Sequence, residues 1–394
     1  MQFELEEDQA QLSESLARLL GDRYPFERRS EVARGNEGWS RDVWQSLSEL
    51  GLPSILVPEA HGGIGGRMSD LWAPLGHFGK ALLLEPAIQT LVLGPVALSI
   101  GASREAGARL LPEIAAGTLR VGVAQTQFGC GLAGHTQPGC GVKAISREQG
   151  WVLTGSIEHV LHGPTLDRLI VLASAAAAGR EETLMFLVDP AAPDVKREDY
   201  RLLDDSIAAT LVLDGSRAEL LGPVDRLVSG PQPGNPVSRC AVAASSADML
   251  GAMEAAFQAT VDYVRVRRQF GRPLAENQAV RHTVADMSVA VELVRSLSIA
   301  AIAAIDHPDD EDSAADIARA ATLVPSCARK VCESAIQLHG AVGVTEELAV
   351  GHYLRRVLVQ EQFLCGLAAG PKFTGNPEAD DREESGMTDK CRKD

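Results

Sequence analysis

Basic charge is what the chain is short of: 37 lysines and arginines stand against 53 aspartates and glutamates, a formal net charge of −16 over 394 residues. A protein that grips a phosphate backbone needs a basic face, so no nucleic-acid partner is expected. The seven cysteines (Cys130, Cys140, Cys240, Cys327, Cys332, Cys365 and Cys391) are odd in number. They show neither CxxC spacing nor a companion histidine cluster, which argues against a disulfide framework and against a metal site. Cys327 and Cys332 read as small hydrophobes on a helix, and His61, His77 and His282 as capping or packing residues. No apolar run reaches the ~20 residues of a spanning helix, and MQFELEEDQA has neither the basic start nor the apolar stretch of a leader. The expectation is a cytoplasmic protein without a membrane span.

What is present exceeds one hydrophobic core, so two or three packed units are expected. Residues 1–120 read as helical, with Leu12, Leu16, Leu19 and Leu20 on one stripe. A second helix opens at Ser40 and closes at Gly51, with Val43, Leu47 and Leu50 as its buried face. From 121 to 229 the pattern changes to short alternating runs, GVKAIS, WVLTG, DRLIVLASA, TLMFLVD and ATLVLDG, the mark of an antiparallel β-domain. The stretch GPQPGNP breaks the chain before Ala-rich helices that fill 230–370. The polar tail 371–394 carries almost no apolar residues and is expected to be disordered. The order helix, strand, helix makes this an α+β protein in three parts.

Four segments, in order, carry a family resemblance. WQSLSELGLPSILVPEAHGGIGG, from Trp44, resembles the N-terminal signature of the acyl-CoA dehydrogenases. WVLTGSIEHVLHGPTLDRLIVLA, from Trp151, is similar to their β-domain run. YVRVRRQFGRPLAENQAVRHTVADM, from Tyr263, resembles their QFG block and is the most specific of the four. QLHGAVGVTEELAVGHYLRR, from Gln337, is similar to their last conserved segment. The resemblance implies an N-terminal helical domain, a central β-domain, a C-terminal four-helix bundle and a tetramer built as a dimer of dimers. It also implies FAD, and oxidation of an acyl-CoA thioester to its enoyl-CoA.

That reaction needs a carboxylate within hydrogen-bonding reach of the carbon beside the thioester. In LRRVLVQEQFLCG the family's glutamate position falls on Leu364 when counted from Arg355, and on Cys365 when counted back from Gly366. Neither is a carboxylate. A second base position used by some members corresponds to Ser238, which is also incompetent. Glu361, one helical turn earlier, is the remaining candidate. On the ring side of the flavin, Thr126 and Gly131 are kept as candidate cofactor contacts, but Leu132 replaces a serine. His159 replaces the aromatic that shields the ring, and Leu161 the threonine beside flavin N5.

The residues that resemble the diphosphate clamp, which the family supplies from a neighbouring subunit, survive: Arg267, Phe270, Gln278, Gln337, Gly340 and Gly343. An arginine fork and close backbone N–H groups suit a diphosphate. Against the pattern, Ala341 replaces the second of a glycine pair and Arg356 replaces an aspartate. Loss on the ring and base side with survival on the diphosphate side fits a subunit that lends its clamp to a homologous partner, as in heteromeric enzymes for steroid-derived CoA thioesters. The alternatives are a homomeric dehydrogenase using Glu361, a flavin-dependent monooxygenase relative, and a structural subunit.

Overall fold

A computed structural model describes residues 5–124, 141–177, 180–224, 235–269 and 271–367. Thr126, Gly131, Leu132, Phe270 and the tail 371–394 lie outside these residues, as does the side chain of Cys365. Six helices come first: α1 (Glu7–Arg23), α2 (Phe26–Arg34), α3 (Arg41–Glu49), α4 (Met68–Ala81), α5 (Gly94–Gly101) and α6 (Arg104–Ala115). Leu16 and Leu20 of α1 are buried, with Leu12 and Leu19 packed beside them. The Ser40 side chain caps α3 by accepting from the Val43 N–H at 3.4 Å. Gly51, left-handed at φ 79°, turns the chain away just beyond its end, where a residue with a Cβ would be strained.

The strands are β1 (Val121–Val123), β2 (Lys143–Arg147), β3 (Gly150–Leu161), β4 (Arg168–Ala177), β5 (Arg180–Val188), β6 (Val195–Arg201) and β7 (Ile207–Pro223). Strands β2, β3, β7, β5 and β4 pair in a closed ring, with β1 on β4 and β6 on β7. Within the ring, closure removes the exposed edges that an open sheet would carry, and β1 and β6 each pair on one side among the described residues. The ring's interior is apolar, with Leu153, Ile157, Val171, Phe186, Leu211 and Leu213 among the residues filling it. Most pairings are antiparallel as expected, but β4 runs parallel to both β1 and β2. Register of this kind depends on which distant strands meet, and local alternation does not encode that.

Four long helices form the C-terminal bundle: α7 (Pro236–Val266), α8 (Gln278–Asp306), α9 (Ser313–His339) and α10 (Ala349–Leu367). Asn235 caps α7 by accepting from the Val237 N–H at 2.8 Å, with Pro236 in the first turn. Between α7 and α8 the two-residue strands β8 (Arg268–Gln269) and β9 (Arg272–Pro273) make a small hairpin. Helices α4 and α7 touch backbone to backbone. A Cβ on Gly251 would lie 1.8 Å from the Gly76 carbonyl, and one on Gly79 1.8 Å from the Asp248 carbonyl. This contact ties the N-terminal helices to the bundle and fixes where Asp248 sits.

The expectation about apolar runs needs correction. Helix α8 has a mean hydropathy of 1.8 over its most apolar stretch and is long enough to cross a membrane by length and composition. Glu292 and Arg295 divide this stretch in the sequence. Here α8 is a bundle helix, with Met287, Val291, Val294, Ala301 and Ile302 buried against its neighbours. Cys332 is buried as expected and Cys327 is half-buried. Among the described residues, no three His, Cys, Asp or Glu side chains converge as metal ligands.

Candidate functional site

Two regions matter, one at the end of the bundle and one at its junction with the other domains. At the bundle end, Tyr263 stacks on His339 with ring centroids 4.3 Å apart, and its hydroxyl donates to the His339 carbonyl at 3.3 Å. This pins the last turn of α7 to the last turn of α9. Arg267 follows as the C-cap of α7, and Gln278 opens α8 just beyond the hairpin. Gln337, Gly340 and Gly343 lie at or beyond the end of α9. The structure thus draws the described clamp candidates to one exposed end.

Four arginines crowd this end, and they differ. Arg268 donates to the Gly271 carbonyl at 3.2 Å and Arg272 to Asn277 at 2.5 Å. Arg265 and Arg267 are exposed and have no side-chain bond among the described residues. Gly340 takes φ 67°, and a Cβ there would meet open space. A Cβ on Gly343 would meet the Ile336 carbonyl and His339 Cβ, both at 2.9 Å. An exposed guanidinium with no side-chain bond among the described residues, at the same bundle end as a turn that carries two glycines, fits the diphosphate of the FAD that the resemblance implies.

The ring side does not fit. Leu161 and Phe363 line one enclosed cavity with Phe78, Glu85, Gln89, His162, Asp248, Arg356 and Gln360. It has a volume of ≈ 10 Å³, enough for about one water. Leu364, the base position, is 1% exposed and packed in the core. Ser238 is fully buried near the start of α7. Glu361 is not among the residues lining the cavity and pairs instead with Arg329 of α9 at 3.5 Å. His159 lies in a bulge of β3 at φ 57° and bonds outward to the Tyr200 hydroxyl at 3.0 Å.

Charged groups occupy the junction itself. Arg356 of α10 forks onto both oxygens of Asp248 on α7 at 2.9 Å and reaches Asp204, between β6 and β7, at 3.1 Å. All three are buried. Burial works against the Arg356 charge, but Asp248 and Asp204 outweigh it and hold the guanidinium above its ordinary pKa. Asp204 also accepts from the Ser206 N–H at 3.1 Å and the Ser206 hydroxyl at 2.5 Å. Arg29 of α2 donates to the Asp204 carbonyl and to Asp205. One cluster therefore spans all three parts of the chain.

Three buried polar atoms around the cavity have no hydrogen-bond partner: Glu85 Oε2, His162 Nδ1 and Gln360 Oε1. Burial lifts the Glu85 carboxyl to about 7, although the Ser40 N–H bonds its other oxygen at 2.9 Å. Burial, with Arg356 nearby, drops the His162 imidazole to about 3. Reading the sequence alone missed Glu85, His162 and Asp248. The signal for Asp248 was a lone acid in the small-residue run AVAASSADMLGA, where a buried charge requires a partner.

Comparison with known proteins agrees with this architecture. The chain matches the model of the acyl-CoA dehydrogenase N-terminal domain over residues 6–118 and that of the acyl-CoA dehydrogenase C-terminal domain over residues 237–364. It is 27% identical over 352 residues to the acyl-CoA dehydrogenase FadE27 of Mycobacterium tuberculosis, covering 87% of this chain and 89% of the relative. Among solved structures, a variant of the Tcur3481-Tcur3483 steroid acyl-CoA dehydrogenase superposes with a TM-score of 0.76 at 27% identity, covering 92% of this chain and 94% of the other. The ChsE4-ChsE5 complex of Mycobacterium tuberculosis gives a TM-score of 0.79 at 24% identity, over 93% and 96%. With both terminal domains matched around a closed β-domain, the chain belongs to the acyl-CoA dehydrogenase family of oxidoreductases.

Proposed function

We propose that this chain is the lending subunit of a heteromeric, FAD-dependent acyl-CoA dehydrogenase that oxidises a bulky, steroid-derived acyl-CoA thioester to its enoyl-CoA. It supplies diphosphate contacts, from Arg267 and the turn at Gly340–Gly343 with Gln278 and Gln337 beside them, to a flavin whose reactive ring lies in a homologous partner. FAD, when bound, accepts the hydride. The observation that carries the reading is the ≈ 10 Å³ cavity behind Leu161 and Phe363, against the roughly 300–1,000 Å³ of ordinary ligand pockets. No thioester reaches a base there, since Leu364 is apolar, Asp248 is held by Arg356, and Glu85 is walled in. The similarity to a steroid acyl-CoA dehydrogenase named for two components supports both the pairing and the substrate class.

Exposed Val266, Val289, Leu293, Leu323, Val342 and Val344 on the bundle are apolar surface of the kind a subunit interface covers, which supports a mixed tetramer. The homomeric alternative rests on Glu361, which pairs with Arg329 and is not among the residues lining the cavity.

The test is to purify the chain alone and with a homologous subunit that carries the glutamate. Alone, it should bind FAD poorly and show negligible acyl-CoA oxidation. Together, the two should form a mixed tetramer whose turnover is unchanged by Glu361→Gln in this chain. A homotetramer with one tightly held FAD per chain, losing activity on Glu361→Gln, would overturn the proposal.

A further inference from the structure

The cavity between α10, the end of β3 and the π turn Ile88–Leu93 is small, and Arg356, Asp248 and Glu85 are among the side chains that line it. We infer that Arg356, braced by Asp248 and Asp204, is a built-in plug that closes this chain's own acyl cavity, so that the assembled enzyme binds acyl-CoA on partner chains alone. The inference rests on the lending-subunit reading and adds the cause of the asymmetry.

Geometry carries the argument in three steps. First, Arg356, Gln360 and Phe363 stand four and three residues apart on α10, so one face of that helix points into the junction, and all three line the cavity. Phe363 directly precedes Leu364, and Leu161 forms the opposite wall. The base position and the strand residue expected beside the flavin ring therefore meet at this one place.

Second, the plug is held rigidly. The Arg356 fork takes both oxygens of Asp248 at 2.9 Å, and its other nitrogen takes Asp204 at 3.1 Å. Gln360 adds a bond to Asp248 at 3.3 Å. Asp248 in turn is fixed by the backbone contact of α7 with Gly79. An acyl chain entering here must part a buried ion pair, and separating buried partners is strongly unfavourable because each is left uncompensated.

Third, the lining is mixed: Phe78, Leu83, Ala87, Ile88, Leu161 and Phe363 are apolar, but polar atoms set among them would be stranded by an acyl chain. Glu85 Oε2, His162 Nδ1 and Gln360 Oε1 are buried without partners. A single water bonds such groups, whereas a hydrocarbon strands them. Arg356 stands where the family pattern has an aspartate. With an aspartate there, Asp248 and Asp204 would face another acid, so the arginine is what lets these carboxylates close the space.

The test uses the full chain assembled with a glutamate-bearing homologous partner, titrated calorimetrically with the CoA thioester of a steroid side-chain acid and, separately, assayed for bound FAD. The wild-type complex should bind one acyl-CoA per partner chain and none per copy of this chain. Arg356→Ala with Asp248→Ala, in an Asp204→Asn background so that no buried acid is left unpaired, should add one site per copy of this chain. Arg356→Ser with Asp248→Asn, in the same background, keeps hydrogen bonding for folding and should add a weaker one, should the first pair not fold. One acyl-CoA per chain in the wild-type complex, or a folded paired variant that still excludes the ligand, would overturn the plug. The flavin count is separate: acyl-CoA on every chain with FAD on half of them sinks the plug alone, whereas FAD on every chain sinks the lending-subunit reading.

Discussion

Glu85→Gln should make the protein more stable above neutral pH and leave it almost unchanged in acid. Burial raises the Glu85 carboxyl from 4.5 to about 7. The folded state thus keeps its proton through a range in which the unfolded chain releases it. Stability from this group is complete below 4.5 and is lost as pH rises toward 7. At about 1.4 kcal/mol per pKa unit, the loss amounts to about 3 kcal/mol by pH 7.5. Glutamine is an uncharged analogue of the protonated acid, and its oxygen still accepts from the Ser40 N–H.

His162 runs the other way. Its imidazole falls from 6.5 to about 3 through burial, with Arg356 adding to the effect. Its contribution is present above 6.5 and is lost as pH falls. Between pH 4.5 and 6.5 these two slopes oppose each other, and Glu85→Gln removes the carboxyl's while leaving the histidine's in place. Urea melts of both proteins at pH 4.5, 5.5, 6.5 and 7.5 give the difference directly. The variant should gain about 3 kcal/mol relative to wild type across that range. A difference that stays flat with pH would refute the claim that Glu85 is buried as a proton-holding acid.

Gly251→Ala should separate α4 from α7, because its Cβ would lie 1.8 Å from the Gly76 carbonyl; soluble yield and melting temperature should fall sharply, while Gly271→Ala, which meets no neighbouring atom, should show only backbone strain. Leu364→Glu should not restore acyl-CoA oxidation to the isolated chain, since it buries an unpaired acid at a site 1% exposed, at a cost of several kcal/mol; a stable, active variant would show that the cavity opens. The Cys332 thiol, pushed up to about 12 by burial, should resist iodoacetamide in the native protein and react only on unfolding, as followed by mass spectrometry.

Legibility in the sequence followed range. The Ser40–Gly51 helix could be read from its cap, its apolar spacing and its closing glycine, all within a dozen residues. The long bundle helices were equally plain from composition and the GPQPGNP break. The parallel pairings of β4 were not, because they join segments that nothing local relates. At the site, the motif spacing pointed to Arg267 and Gly343 because glycine and arginine carry their constraint at one position. Glu361 was misleading: helical spacing placed it near Leu364, but which face of α10 turns inward is set by the pairing of Arg356 with Asp248, 108 residues apart. The closed cavity depends on Glu85, His162, Asp248 and Arg356 together, and no short segment contains more than one of them.

On the proposed function Arg267 serves a flavin held by another chain, a contact that FAD dissociation from the assembled complex measures. Arg267→Ala in this chain, with the partner left wild type, removes one charge-assisted diphosphate contact of roughly 1.5–3 kcal/mol. The Kd for FAD should rise by about 10- to 150-fold, while Arg265→Ala, on the same exposed surface, should change it little. Equal effects of the two substitutions, or no effect of either, would contradict the account.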